Sequence, residues 1–230
     1  MLELDKVVLR SGTFELSADL RVDGGAIVAV IGPSGAGKST LLNAIAGFQP
    51  VAEGQVKWQG SDITRAAPSN RPVAMLFQDN NLFPHLTLAQ NVGFGLRPTL
   101  RLSSTDKAQV EHALQRVGLQ GLGARKPADI SGGQQSRAAL ARVLLQKKPL
   151  ILLDEPFAAL GPAMRSEMLD LVAELAKESG ATVLMVSHAP SDARQIADQI
   201  ILVADNIAHP PLATGALLDN PPAALRAYLG

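Results

Sequence analysis

The stretch Gly32-Pro33-Ser34-Gly35-Ala36-Gly37-Lys38-Ser39-Thr40 follows an apolar run, Ala26 to Ile31, and precedes a helix-like run, Leu41 to Ala46. Strand, glycine loop, helix is the setting in which G-x-x-x-x-G-K-[ST] cradles phosphate. Glycines let the backbone wrap closely enough for consecutive N–H groups to face phosphate oxygens. The positive end of the helix that follows adds to the attraction. In this reading Lys38 reaches the β- and γ-phosphates and the Ser39 hydroxyl serves a bound Mg²⁺. The plainer alternative is an ordinary glycine-rich turn, and the flanking strand and helix argue against it.

Composition narrows the remaining possibilities. A chain of 230 residues is long enough for one domain with a subdomain and a sizeable core, and its apolar share of 47% is ordinary. Lys+Arg and Asp+Glu both number 21, so the basic footprint of a nucleic-acid binder is missing. No apolar run approaches the length that spans a bilayer, and Met1 to Asp5 is acidic with no signal-peptide core. The absence of cysteine excludes disulfides and thiolate metal sites, and His85, His112, His188 and His209 lack metal-ligand spacing. These features predict a cytosolic protein.

Working outward, Leu2 to Leu9 and Phe14 to Val22 predict a hairpin around Ser11-Gly12, with a further strand at Gln55 to Trp58. Ala26–Ile31, Leu150–Leu153, Thr182–Val186 and Ile200–Val203 are apolar on nearly every residue, as strands buried on both faces of a parallel sheet must be. Val73 to Phe77 is a fifth candidate. Met164, Met168, Leu171, Val172 and Leu175 recur at helical spacing between Pro162 and Gly180, and read as core. From Leu88 to Gln146 no buried strand is legible. Val110, Ala113, Leu114 and Val117 mark one helix closed by Gly118, and another is expected after Ser131. The tail from His209 has room for only a short last helix.

Two further clusters carry chemistry. Leu150 to Leu153 ends in Asp154-Glu155-Pro156, two carboxylates at the end of a strand where ligands of open parallel sheets sit. Asp154 is suited to hold Mg²⁺ and Glu155 to polarise an attacking water. Ser131-Gly132-Gly133-Gln134 opens a helix with bare N–H groups, which locally reads equally as an anion site or a plain turn. His188 and Gln78, each ending an apolar strand, are weak signals alone.

Together these pieces resemble one family, the ATP-binding cassette ATPases, over nearly the whole chain. Gly32 to Thr40 is similar to its Walker A motif, Gln78 to its Q-loop, Ile130-Ser131-Gly132-Gly133-Gln134 to its signature, Leu150 to Glu155 to Walker B, and His188 to its switch histidine. The resemblance implies an α/β P-loop fold with a RecA-like core near residues 1–87 and 147–209, an N-terminal antiparallel β subdomain, a helical subdomain near 88–146, and a tail at 210–230. It implies ATP bound by Gly32, Pro33, Ser34, Gly35, Ala36, Gly37, Lys38, Ser39 and Thr40. Ser131, Gly132, Gly133 and Gln134 would bind ATP held by a second, head-to-tail copy. By the same resemblance Mg²⁺ falls to Ser39, Gln78 and Asp154, and catalysis to Glu155, His188, Gln78 and Lys38.

Three positions depart from the family pattern. Ala158-Ala159-Leu160-Gly161 stands where the family usually has S-A-L-D, removing a carboxylate that crosses the dimer interface. The aromatic that usually stacks on adenine is missing from Leu9 to Ser11, with Phe14 the only one nearby, which implies a weaker hold on the base. Ile130 replaces the signature leucine, a mild change.

Asp79 to Leu88 resembles the segment with which bacterial importers grip a permease helix. With Asn91 to Leu96 and Leu184 to His188, it is most similar to thiamine-importer ATPases. The resemblance therefore implies an importer ATPase on the cytoplasmic face of a bacterial inner membrane. Its partners would be permease subunits and, indirectly, a periplasmic solute-binding protein. Import of another small solute (iron, polyamine, oxyanion) and a soluble or regulatory cassette remain alternatives.

Overall fold

Strands apolar on every residue need a cover on both faces, and the chain supplies one. The computed structural model describes residues 1–223, 225 and 226. Five strands form the parallel centre: β3 (Ile27–Ile31), β6 (Val73–Leu76), β7 (Leu150–Asp154), β8 (Thr182–Val186) and β9 (Gln199–Ala204), in the order β9-β3-β8-β7-β6. Alternate residues serve opposite layers. Val28, Val30, Leu150, Leu152, Leu184 and Val186 face one apolar cluster, while Ile151, Leu153, Val183 and Met185 face another. All five expected strands are present.

The first cluster is closed by α1 (Lys38–Ala46) and by an antiparallel layer of β1 (Leu2–Ser11), β2 (Phe14–Val22), β4 (Glu53–Trp58) and β5 (Ser61–Asp62). The expected hairpin is β1 and β2. At the carboxyl end of α1 the buried Arg71 donates to the carbonyls of Ala44 and Ile45, satisfying acceptors that a helix end leaves open.

The second cluster is closed by α2 (Leu88–Gly93), α3 (Ser104–Arg116), α4 (Gly132–Leu145) and α5 (Pro162–Ser179). Among the described residues, 88–146 contain no strand. Ser131 caps α4 as expected, in a reciprocal capping box with Gln134. Pro162 and the left-handed Gly180 bound α5 as expected.

The sequence reading needs correction in three places. Met164, in the first turn of α5, is 37% exposed and is not core, lying at the surface beside Gly133 of α4. Helix α2 was not read from the sequence. Nor were β10 (Ile207–Ala208) and β11 (Leu212–Ala213), strands too short to show a period. A turn at Asp205-Asn206, both left-handed, folds β10 back on β9, and β10 pairs parallel with β2, joining the two layers into one sheet. β11 pairs with β9, and α6 (Pro190–Ile196) and α7 (Thr214–Asp219) cover that end; the expected tail extends to residues 224 and 227–230, which lie outside the described residues.

Candidate functional site

The loop after β3 is shaped by glycines in backbone conformations that side chains rarely adopt. A Cβ on Gly32 (φ +152°) would lie 2.0 Å from the carbonyl oxygen of Val203, and one on Gly37 (φ +101°) 2.6 Å from the Phe14 ring. Phe14 therefore packs directly over the loop. Leu9 is wholly buried and Arg10 is paired with Glu15 and Glu53, so neither offers an aromatic substitute.

Lys38, 5% exposed, donates from Nζ to the carbonyls of Gly32 (2.9 Å) and Pro33 (2.8 Å), so its ammonium is held inside the curl of the loop. Burial lowers its pKa, and the nearby Glu155 and Asp154 carboxylates pull it back up. Ser39 Oγ donates to Asp154 Oδ1 at 2.9 Å, tying α1 to the end of β7. Asp154 is also 5% exposed. Burial pushes its carboxyl up; the hydrogen bond from Ser39 opposes this, the Glu155 charge adds to it, and Lys38 and His188 oppose it.

Glu155 is the first residue beyond β7 and has φ +48°, left-handed and costly for a non-glycine by roughly 1–3 kcal/mol. That backbone turns its side chain toward His188, whose Nε2 lies 2.6 Å from Glu155 Oε1. The loop carrying His188 is fixed from behind. Ser187 Oγ donates to Asp192 Oδ2 at 2.6 Å, and Arg165 Nε, from α5, donates to the same oxygen at 3.0 Å.

A cleft of about 360 Å³ is lined by Ser34, Gly35, Gly37, Lys38, Ser39, Thr40, Gln78, Glu155 and His188. That volume suits a small ligand. The structure thus brings together the glycine loop, the two acids, the histidine and Gln78. It does not bring Ser131, Gly132, Gly133 or Gln134 into that cleft. Ser131 and Gly132 are exposed, a Cβ on Gly133 would meet Leu160 and Met164, and Gln134 Oε1 accepts from Ser131 N at 2.9 Å. Gln134 is occupied as a capping residue.

Sequence reading missed Asn91, buried on α2. Its Nδ2 donates to the carbonyls of Phe83, Leu86 and Thr87, and its Oδ1 accepts from Phe83 N. It holds 83–87 in shape, with the Phe83 ring against Phe94 and His85, while Leu82 packs into the core. The pairing of a turn with an Asn eight residues later leaves no local pattern to read.

Residues 17–158 match the family described as ABC transporter. Over all 230 residues the chain is 62% identical to a protein named thiamine import ATP-binding protein ThiQ from Ruegeria sp. (strain TM1040), and 60% identical to its namesake from Cereibacter sphaeroides, each covering 100% of both chains. Among solved structures, the dimeric bacterial ABC transporter cassette MJ0796 aligns with a TM-score of 0.83 at 30% identity, covering 93% of this chain and 99% of that one. A dimeric post-hydrolysis state of the same cassette, bound to ADP and Pi, aligns with a TM-score of 0.82 at 29% identity over the same shares.

Proposed function

The chain belongs to the ABC transporter family and is an ATPase of its importer class, and from that premise we propose that it powers the uptake of thiamine as a membrane-bound homodimer. The observation that carries the reading is the cleft in which Lys38, the Ser39–Asp154 bond and the Glu155–His188 pair face the same glycine loop. Near-full-length identity to proteins named for thiamine import supports the solute.

Each side chain has work to do on ATP. The loop N–H groups and Lys38 hold the terminal phosphates, and Lys38 leaves its carbonyl acceptors to do so. Ser39 and Asp154 are hard oxygen ligands already in contact, with Gln78 at the same cleft, a donor set that fits Mg²⁺. Mg²⁺ there would offset the charge on the phosphates. Glu155 takes the proton of the attacking water as the new P–O bond forms and the bond to the departing ADP oxygen breaks. With Glu155 ionised, Nε2–H of His188 donates to it and fixes its direction. Ser131 and the open N-terminus of α4 complete the site of a second chain. The helical region 88–146, with Phe83 at its edge, is the side offered to the permease.

Assembly of the chain with a permease and a thiamine-binding protein in vesicles tests the whole reading. ATP turnover should rise several-fold when the binding protein carries thiamine. Stimulation by a different solute and none by thiamine would overturn the substrate while leaving the importer in place.

A further inference from the structure

Arg142, in the last turns of α4, is 8% exposed, and no ion pair engages it among the described residues. Burial disfavours its charge, yet a guanidinium stays protonated. What solvates it is backbone. Nη1 donates to the carbonyl of Asn81 at 2.6 Å and Nη2 to that of Asn80 at 2.7 Å. Asn80 and Asn81 are consecutive left-handed residues (φ +59° and +46°), a conformation asparagine tolerates better than most. They stand two and three residues after Gln78, with Asp79 between.

A second tie reaches the other end of the helix. Asn80 Nδ2 donates to Ser136 Oγ at 3.2 Å, and Ser136 Oγ donates to the carbonyl of Gly132 in the first turn. The backbone also approaches α4 closely at Gly95, where a Cβ would lie 2.3 Å from the Arg142 carbonyl oxygen. The segment after Gln78 and the helix that begins at Ser131 are thus bound at two points, one of them a buried charge.

We propose that Arg142 is a positioning residue that locks the segment after Gln78 to the Ser131 helix, so that nucleotide in the chain's own cleft sets how Ser131 is presented to a second chain. The proposal rests on the roles given above to Gln78 and Ser131. An interaction serving stability alone would, when lost, lower melting temperature and nucleotide affinity together. A positioning interaction leaves nucleotide binding to the single chain intact and weakens the step that needs both ends.

The chain has no cysteine, so Asp79→Cys and Ala128→Cys can carry spin labels in the full-length protein. Both positions are exposed, and Gln135 ties the turn at Ala128 to α4 by donating to the Pro127 carbonyl. The background is Glu155→Gln, which should hold ATP without turnover. With Arg142 present, the label-to-label distribution stays narrow with and without ATP. In Arg142→Met it broadens, and the ATP concentration for half-maximal dimer formation rises about tenfold, while nucleotide affinity of the monomer changes by less than about twofold. Arg142→Lys, which keeps the charge but replaces the two-pronged guanidinium with a single nitrogen on a shorter reach, falls between.

A folded Arg142→Met chain with a narrow distribution and unchanged dimer formation overturns the proposal. Should that variant fail to fold, Arg142→Lys decides, and wild-type distances and dimer formation in it overturn the proposal equally. If the Arg142-containing background forms no dimer with ATP, the reading of Ser131 has failed, and the label distances still judge the clamp.

Discussion

Asp154 is where burial and charge oppose each other most plainly. Its carboxyl is raised by burial, so the ionised form is penalised in the folded chain and not in the unfolded one. Because the folded pKa lies above the ordinary 3.8, the penalty is present at neutral pH, begins to shrink as pH falls through the folded value and is gone below 3.8. Asp154→Asn should therefore leave the ligand-free chain as stable as wild type at neutral pH, or up to a few degrees more so by thermal melting. That advantage should shrink in acid, and ATP with Mg²⁺ should raise the melting temperature of wild type but not of the variant. A ligand-free variant that melts several degrees lower would show Asp154 to be structural. That Lys38, Ser39, Asp154 and Glu155 come together was legible because a phosphate-loop pattern places particular side chains at fixed local spacing. Arg142 was not, since its partners are carbonyls that every residue carries.

At the scale of elements, strands and long helices announce themselves through period, and short elements do not. Helix α2 spans only Leu88–Gly93, yet Thr87-Leu88-Ala89-Gln90 holds a signal that could have found it. Thr87 and Gln90 form a capping box, whereas at Ser131 the N-cap alone was read from the sequence. The short strands β10 and β11 depend on neighbours supplied by tertiary structure, so no local pattern marks them. Helix α3 offers a test of capping. Asp106 accepts from Ser103 N at 3.0 Å and from Arg97 Nε at 2.6 Å, and these bonds bring its pKa from 3.8 to about 2. A depressed carboxylate contributes stability that is full above its unfolded pKa and is lost as pH falls through its folded one. Asp106→Asn should thus be less stable than wild type near neutrality. The gap should begin to narrow below 3.8 and close toward about 2, as read by urea unfolding across that range. A gap independent of pH would remove the carboxylate's charge from the explanation.

For the molecule as a whole, the residues read as one site do not all meet in one cleft. Lys38, Glu155 and His188 line the cleft, with Asp154 bonded to Ser39 behind it, whereas Ser131 and Gly132 are exposed outside it. Dimeric solved cassettes with TM-scores of 0.82 and 0.83 fit a chain that supplies one part of each of two sites. Gly161, which brings no carboxylate to the partner, is expected to let those sites work more independently. Mixing Lys38→Ala chains with Ser131→Arg chains tests the composite site most directly. Each variant alone is damaged at both sites of its homodimer. The heterodimer keeps one intact site, formed by Lys38 of the Ser131→Arg chain and Ser131 of the Lys38→Ala chain. ATPase activity should recover in the mixture well above either variant alone, toward about half of wild type per heterodimer if the sites act independently. Heterodimers shown to form, with no recovery of turnover, would contradict a site shared head to tail between two working chains.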